Sequence, residues 1–346
     1  MKNILYKYCP QMKTYDSISY NWIQNLMFMN NPNYRSSVCN TDMYGLRFNT
    51  KDNAKLSNSI FDQVSDKDRA LMIGSSTTFG VGSTNDKKTI PSILSENSNY
   101  FFYNLGGRAF NGFQEIILYQ LFANKIKQNI KKIVLLSGMN DVYMFSNKNF
   151  IHQFPGPFYY NKTFLNKMND TNLSFKRKIL KFLFPNLNVD YRNIQFKELI
   201  NNFFTKDKKE KLLNPDTTLE EVINRNIYIW SLLSKSLNAE IIFFLPPFID
   251  WCKNKSEYSS EEKDIEKFIS RRTNFEDFEN FNKISDQKII IKSLFKKYCE
   301  KYEIKFFDCN DIIEEKMNNN KWLFIGKTHL TDYGNNLIGE YIKTKL

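Results

Sequence analysis

Four short blocks of the sequence combine small residues with side chains that can move a proton or attack a carbonyl carbon. In chain order the blocks are Gly74–Gly80 (GSSTTFG), Asn104–Asn111 (NLGGRAFN), Ser137–Asp141 (SGMND) and His329–Asn335 (HLTDYGN). A serine hydroxyl is a weak nucleophile until a neighbouring base, most often histidine, removes its proton. Ser76 in the first block and His329 in the last are therefore a candidate nucleophile and a candidate base for acyl transfer.

Each block also has a simpler, purely structural interpretation. The hydroxyl run Ser75–Thr78 is typical of a helix N-cap, Asn140 of a turn that closes a strand, and His329 of a helix entrance. His329 is one of two histidines, and we expect the other, His152 beside Pro155, to be incidental. Taken alone, the first block is better explained as a helix N-cap, whereas four blocks in this order are better explained as a catalytic site.

Apolar runs precede the first three blocks and predict the strands that position them. These runs and two later ones are Asp68–Ile73, Tyr100–Leu105, Lys131–Leu136, Ala239–Leu245 and Ile304–Asp308. Helical spacing of apolar residues alternates with them at Phe113–Lys127, Leu219–Leu237, Lys288–Tyr302 and Tyr333–Lys345. The alternation predicts an α/β fold with three layers, α/β/α, around a parallel central sheet. Because ligands bind beyond the carboxyl ends of such strands, we expect the blocks to meet at one edge of the sheet.

The order and the context of the four blocks resemble the SGNH hydrolases, which are also called GDSL-like hydrolases. The resemblance covers roughly residues 40–135 and 220–346 and leaves 145–215 uncovered. It implies a flavodoxin-like arrangement of the α/β/α layers, with Ser76 as the nucleophile and His329 as its base. Ser75 stands where the family usually has Asp.

The resemblance also implies which groups stabilise the oxyanion of a tetrahedral intermediate. They are the main-chain N–H of Ser76, a main-chain N–H in the second block and the side-chain amide of Asn140. Ala109 aligns with the glycine that supplies the second donor in the family, and Gly106 or Gly107 is a competing assignment. Losing one such donor costs about 3–4 kcal/mol of transition-state stabilisation.

The acid of a catalytic triad is absent from its usual position. The family usually has Asp three residues before its histidine, and this position is Gly326 here. In a serine protease, loss of this acid lowers turnover about 10⁴-fold. Three interpretations stay open. In the one that we prefer, His329 donates a hydrogen bond to a backbone carbonyl and forms a Ser–His dyad. Alternatively, Asp332 or Asp308 replaces the missing acid, or hydrolase activity is reduced or lost. We expect the carboxylate of Asp332 to satisfy the start of the last helix.

Three parts of different character make up the sequence. Residues 1–67 are predicted to be irregular and to pack on the core, and residues 68–144 and 216–346 to form the catalytic α/β domain. Residues 145–215 are too long for a plain connection and predict an insertion, either a lid or substrate-binding element or a surface excursion. Within it, the basic and apolar stretch Lys176–Phe184 predicts an amphipathic helix, with contact to an anionic membrane surface as the alternative.

Composition restricts the class of protein. The formal net charge is +12, but the lysines are spread along the chain among acids, so we expect no nucleic-acid partner. No metal-ligand spacing and no complete dinucleotide fingerprint occur, so we expect no metal and no cofactor. Five cysteines without paired spacing indicate reduced thiols and a cytoplasmic setting. The sequence shows no signal-peptide pattern and no apolar run long enough to predict a transmembrane helix.

Together with these patterns, the resemblance implies a hydrolase that removes an ester-linked acyl group, in particular acetyl, through an acyl-Ser76 intermediate. The resemblance adds an O-acylated carbohydrate as the substrate. We expect Gly107, Arg108 and Asp141 to bind it. One rival is an O-acyltransferase, in which a sugar hydroxyl replaces water, and another is a non-catalytic binding protein that kept the fold and lost the acid. The oligomeric state is left open.

Overall fold

The computed structural model describes residues 4–126, 130–171, 215–272, 282–316 and 321–346. The chain forms two compact units, Met1–Tyr159 with Thr217–Leu346, and Tyr160–Asp216. The described part of the second unit contains one helix, Asn161–Thr171. Residues 145–159, which we predicted to belong to the insertion, are part of the first unit. The predicted amphipathic helix Lys176–Phe184 lies outside the described residues.

A five-stranded parallel sheet forms the centre of the first unit. Its strands are β3 (Asp68–Gly74), β4 (Tyr100–Gly106), β5 (Ile130–Leu136), β6 (Glu240–Leu245) and β7 (Lys305–Asp308), and their order across the sheet is β4-β3-β5-β6-β7. Every neighbouring pair runs parallel. The α/β prediction is confirmed, and each predicted strand agrees with the observed one to within one residue.

Alternate side chains of the sheet enter two separate cores, because successive residues of a strand point to opposite faces. On β3, Leu71 and Ile73 join one hydrophobic cluster, whereas Ala70 and Met72 join the other. Full burial of a leucine- or isoleucine-sized side chain contributes about 1.5–3 kcal/mol. The two clusters account for a sheet that is covered on both faces.

Helices supply the outer sides of both cores and produce the three-layer arrangement. The α-helices of the first unit in the described chain include α1 (Ile4–Tyr8), α2 (Met12–Ser17), α3 (Lys51–Leu56), α4 (Ser76–Phe79), α5 (Ile90–Asn97), α6 (Gly112–Ile126), α7 (Met139–Ser146), α8 (Leu219–Leu237), α9 (Ile249–Cys252), α10 (Ser260–Arg272), α11 (Lys288–Lys301), α12 (Cys309–Lys316) and α13 (Asp332–Lys343). Residues of α6, α8 and α11 pack on one face of the sheet, and those of α5, α12 and α13 on the other. None of the described helices is long and apolar enough to cross a membrane.

The N-terminal region is more regular than the sequence suggested. It contains α1 to α3 and an antiparallel hairpin of β1 (Tyr20–Ile23) and β2 (Met27–Asn30). Its side chains join the core, since Phe28, Leu46 and Phe48 are fully buried. The prediction that residues 1–67 are irregular is therefore wrong in its secondary structure.

Glycine at the ends of β3 and β4 permits two backbone segments to approach each other closely. A Cβ on Gly106 would lie 2.1 Å from the main-chain nitrogen of Phe79 in α4, and one on Gly74 would lie 2.1 Å from the carbonyl oxygen of Leu136. Both contacts are shorter than any tolerable van der Waals distance. Larger residues at these positions would push α4 away from the sheet edge from which Ser76 projects.

Candidate active site

Ser76 is the first residue of α4, a single helical turn that begins directly after β3. The hydroxyls around it do not form the cap that their sequence suggested. Ser75 makes no side-chain cap hydrogen bond, and Thr78 donates to the carbonyl oxygen of Leu136 (3.4 Å). Thr77 donates to the carbonyl oxygen of Thr328 (3.4 Å), which links the first block to the residue directly before the last block.

The Ser76 hydroxyl faces the imidazole of His329. The distance between Ser76 Oγ and His329 Nε2 is 2.8 Å, a hydrogen-bonding distance across 253 residues of sequence. Burial lowers the pKa of His329 from 6.5 to about 4, because a charged imidazolium loses solvation there, while Asp16 opposes the shift. The imidazole is therefore neutral near pH 7 and able to accept a proton. The other histidine, His152, instead contacts the carbonyl oxygen of Met144 (3.1 Å).

The other ring nitrogen of His329 has a different environment. In the part of the chain that the structure describes, Nδ1 has no hydrogen-bond partner. A Cβ built on Gly326 would lie 3.9 Å from it. The carbonyl that we predicted to hold this nitrogen is thus not observed among the described residues.

Neither of the two carboxylates proposed as substitutes contacts the histidine. Asp332 binds the main-chain N–H of Thr84 (2.9 Å) and its hydroxyl, while Thr331 caps α13. Asp308, buried at the end of β7, forms an ion pair with Lys292 (3.2 Å). Asp332 lies in the first turn of α13, as expected, but its carboxylate accepts hydrogen bonds from the loop after α4 and not from the N–H groups of that turn.

Ion pairs fix the segment that precedes the histidine. Lys327 Nζ lies 2.8 Å from the carboxylates of both Asp250 and Glu266, and the three side chains are largely shielded from solvent. Glu262, fully buried, accepts hydrogen bonds from two main-chain N–H groups at the start of the segment. Such pairing is costly to break because a buried charge would lose its partner. The position of the imidazole therefore depends on α9 and α10 as well as on its own segment.

Asn140 and Ala109 lie in the two blocks that we expected to supply oxyanion donors. Asn140 Nδ2 donates to the carbonyl oxygen of Phe110 (2.6 Å), which joins the third block to the second and leaves one amide hydrogen for another acceptor. Ala109 has φ +62°, a conformation that favours glycine. Within the described residues, the main-chain N–H groups of Ser76 and Ala109 have no acceptor. Three donors are thus available near the first two blocks.

The three residues predicted to bind substrate make contacts within the protein. Arg108 is buried and donates to Asn30 Oδ1 (2.9 Å) and to main-chain oxygens of the N-terminal segment, including that of Tyr15 (2.9 Å). A Cβ on Gly107 would overlap the ring of Phe110. Asp141 accepts from the main-chain N–H of a neighbouring helix (3.0 Å) and is almost fully buried. All three are engaged within the protein.

A second buried acid lies beside Asp141, and the sequence analysis missed it. Glu115 on α6 is 1% exposed and accepts a hydrogen bond from Ser137 Oγ (2.5 Å). Burial raises the pKa of Glu115 well above its ordinary value, and the nearby charge of Asp141 raises it further. Burial likewise raises the pKa of Asp141 to about 6. Glu115 could have been found from the sequence, because it is a glutamate on an otherwise apolar face of a predicted helix.

Several solved structures of esterases are similar to this chain. An acetyl xylan esterase matches 80% of this chain and 99% of its own at 11% identity, with a TM-score of 0.39. A member of the lipolytic G-D-S-L family from Veillonella parvula matches 80% and 99% at 13% identity, with a TM-score of 0.39. A carbohydrate acetylesterase from Sinorhizobium meliloti matches 81% and 98% at 12% identity, also with a TM-score of 0.39. No protein-family model matches the chain, and no curated protein matches it.

Proposed function

We propose that this protein is a serine-dependent hydrolase of acyl esters, with Ser76 as the nucleophile and His329 as the general base. The observation that carries the proposal is the 2.8 Å distance between Ser76 Oγ and His329 Nε2. Burial lowers the pKa of His329 to about 4, so the imidazole is unprotonated near neutral pH but is a weaker base than an ordinary histidine. The geometry suits proton removal from the serine, and the weakened base agrees with low turnover.

In the first half of the reaction, Ser76 Oγ attacks the ester carbonyl carbon while its proton moves to His329 Nε2. The negative charge on the former carbonyl oxygen is stabilised by the N–H groups of Ser76 and Ala109 and by the Asn140 amide. His329 then gives the proton to the leaving alcohol, and the acyl group stays on Ser76. In the second half, His329 takes a proton from water, the resulting hydroxide displaces the acyl group, and the proton returns to Ser76.

The pair works as a dyad in this proposal. Without a carboxylate at Gly326, the imidazolium that forms in each half-reaction is less stabilised than in a triad. We expect turnover that is measurable and low. A Ser–His pair at hydrogen-bonding distance is still sufficient for acyl-enzyme formation, since removal of the triad acid leaves substantial catalysis.

The substrate class in this proposal is a small acyl ester, in particular an acetyl ester of a carbohydrate. This part rests on the resemblance of the four sequence blocks to the SGNH hydrolases. Transfer to a sugar hydroxyl in place of water would use the same acyl-Ser76 intermediate. Product analysis with and without a saccharide acceptor distinguishes the two reactions.

The direct test is labelling with a fluorophosphonate, which reacts with activated serines, followed by mass spectrometry of the modified peptide. We expect Ser76 to be labelled and Ser76→Ala to lose both labelling and p-nitrophenyl acetate hydrolysis with nearly unchanged thermal stability. Ser75→Ala is the matched control, because it removes the adjacent hydroxyl and should keep activity. An unlabelled wild-type protein would overturn the proposal and favour a non-catalytic binding protein with this fold.

A further inference from the structure

The helical turn that carries Ser76 is too short to be stable by itself. α4 has four residues, and an isolated helix of that length does not persist in water. The turn closes on the nucleophile, because the main-chain N–H groups of Gly80 and Val81 both donate to the carbonyl oxygen of Ser76 (2.9 Å each). The carbonyl oxygens at the C-terminal end of such a turn have no partner within the helix, so their bonds come from outside it.

Arg47 of the N-terminal region supplies bonds at that end. Its Nη1 donates to the carbonyl oxygens of Phe79 (3.1 Å) and Gly80 (2.8 Å). The arginine is fully buried, and its Cζ lies 5.5 Å from the centre of the Phe79 ring. A positive charge at the C-terminal end of a helix is also favoured by the aligned peptide dipoles. The nucleophile turn is therefore held from a segment that is remote from it in sequence.

The other bonds of Arg47 fix the orientation of its guanidinium. Nε forms an ion pair with the buried carboxylate of Asp86 (2.9 Å), and Nη2 donates to the carbonyl oxygen of Val38 (2.7 Å). Nη1 also donates to the Tyr15 hydroxyl (2.9 Å), which itself donates to the carbonyl oxygen of Gly80 (2.9 Å). A planar guanidinium bonded at all three nitrogens is held in one orientation, which a single lysine ammonium cannot reproduce.

Two threonines of α4 also donate to groups outside the helix, but over longer distances. Thr77 reaches the carbonyl oxygen of Thr328 and Thr78 that of Leu136, both at 3.4 Å. A good bond between a hydroxyl and a carbonyl oxygen is about 2.7–2.8 Å long, so these two bonds are weak. The charged and shorter bonds of Arg47 are therefore the stronger restraint on the turn.

Ser76 contributes two groups to the proposed reaction, and both move with the turn. Its Oγ lies 2.8 Å from Nε2 of His329, and its main-chain N–H is a candidate oxyanion donor. A displacement of about 1 Å at a reacting group can lower the rate about 10²-fold. A restraint on the end of α4 therefore acts on the nucleophile and on the oxyanion donor together.

We propose that Arg47 is a positioning residue for the nucleophile, which fixes the C-terminal end of α4 and thereby the place of the Ser76 hydroxyl and N–H. The role rests on the proposed hydrolase function, since it affects turnover only if Ser76 attacks the substrate. It involves no covalent step and no contact between Arg47 and the substrate. It gives the N-terminal region a part in the reaction beyond packing on the core.

The test compares Arg47→Lys with Asp42→Asn, a matched control in the same segment. Asp42 is fully buried and accepts from the main-chain N–H groups of Tyr44 and Leu46 (2.9 Å each), and its hydrogen bonds in the described chain do not reach α4. Both variants are assayed well below their melting temperatures. We expect Arg47→Lys to lower kcat for p-nitrophenyl acetate about 10- to 100-fold with KM unchanged, and to slow fluorophosphonate labelling of Ser76 by a similar factor. Asp42→Asn should keep the wild-type kcat.

Amide hydrogen exchange measures the restraint without turnover. The N–H groups of Gly80 and Val81 report on the turn, and Arg47→Lys should speed their exchange about 10-fold whereas Asp42→Asn should not. If Arg47→Lys does not fold, Arg47→Met combined with Asp86→Asn removes both charges of the buried pair and avoids leaving one unpaired. We expect the same losses in this double variant.

An Arg47 variant that is folded and keeps the wild-type kcat would overturn the inference. Unchanged exchange at Gly80 and Val81 would overturn it even if kcat falls. Equal losses of kcat in Arg47→Lys and Asp42→Asn would do so as well, because the effect would then be a general loosening of the N-terminal region. If fluorophosphonate fails to label Ser76 in wild type while the exchange changes as expected, the proposed function fails and the restraint by Arg47 stands.

Discussion

A Cβ on Gly326 would lie 3.9 Å from Nδ1 of His329 and would meet no other atom within 4 Å outside the neighbouring residues of its own chain. The backbone at Gly326 is not in the left-handed region that favours glycine. A larger side chain is therefore compatible with both the space and the dihedral angles. The position is open on the side from which a triad acid would approach the ring.

We predict that Gly326→Asp increases turnover. A carboxylate extended from this Cβ can reach Nδ1, hold the tautomer and stabilise the imidazolium, and even partial recovery of the acid's effect gives about a 10-fold higher kcat. The measurement is steady-state hydrolysis of p-nitrophenyl acetate. Gly326→Asn controls for hydrogen bonding without charge, and Gly326→Ala for size. Equal rates in Gly326→Asp and Gly326→Ala would show that the geometry is not productive.

The pH dependence of kcat/KM is predicted to have its acid limb near pH 4. The pKa of His329 in the folded protein is about 4, lowered by burial from 6.5, so the base stays unprotonated well below pH 6. Circular dichroism at each pH separates loss of base from unfolding. In Gly326→Asp the limb should move to higher pH, because a nearby carboxylate favours the charged imidazole. An acid limb near 6.5 in wild type would contradict the assigned environment of His329.

We expect Asn140→Ala to lower kcat by about 10²–10³ with little change in KM, since an oxyanion donor acts mainly in the transition state. Some stability is also lost, because the carbonyl oxygen of Phe110 loses its donor. Asn335→Ala is the matched control: this buried amide binds Ser83 Oγ (3.0 Å) and should affect stability without affecting kcat. Similar losses of kcat in both variants would mean that Asn140 is only structural.

Glu115→Gln is predicted to stabilise the protein at neutral and alkaline pH. Burial raises the pKa of Glu115 well above 4.5, so the folded state keeps a proton that the unfolded state releases. The contribution of Glu115 to the free energy of unfolding is therefore fully present below its pKa in the unfolded state. It is lost as the pH rises through its pKa in the folded state. Gln keeps an acceptor for Ser137 and has no proton to lose. Urea unfolding between pH 5 and 9 should show wild-type stability falling by at most about 1.4 kcal/mol per unit more steeply than that of the variant. Parallel plots of unfolding free energy against pH for wild type and Glu115→Gln would contradict this prediction.

The strands of the sheet could be predicted from sequence because each is a short apolar run that is buried on both faces, as in Ile133 to Leu136. The hairpin Tyr20–Asn30 could not. Its burial does not alternate strictly, and Met27, the first residue of β2, has φ +69° where a glycine would be expected. Tertiary packing against Phe110, not a local signal, accounts for this hairpin.

The candidate site was predictable to a different extent. The proximity of Ser76 and His329 could be predicted, because the strand-end position of the first block and the order of the blocks are visible in the sequence. The intramolecular contacts of Arg108 could not be predicted, since an arginine that binds carbonyl oxygens of its own chain has the same sequence signature as one that binds substrate.

The separation of 253 residues between Ser76 and His329 also has a consequence for biosynthesis. A ribosome adds about 5–20 residues per second, so roughly 13–50 s pass between the synthesis of Ser76 and the synthesis of His329. During this interval the nascent chain carries a hydroxyl without its proton acceptor. Under the proposed function, chains terminated before His329 would be inactive, and hydrolysis would require synthesis at least as far as this residue.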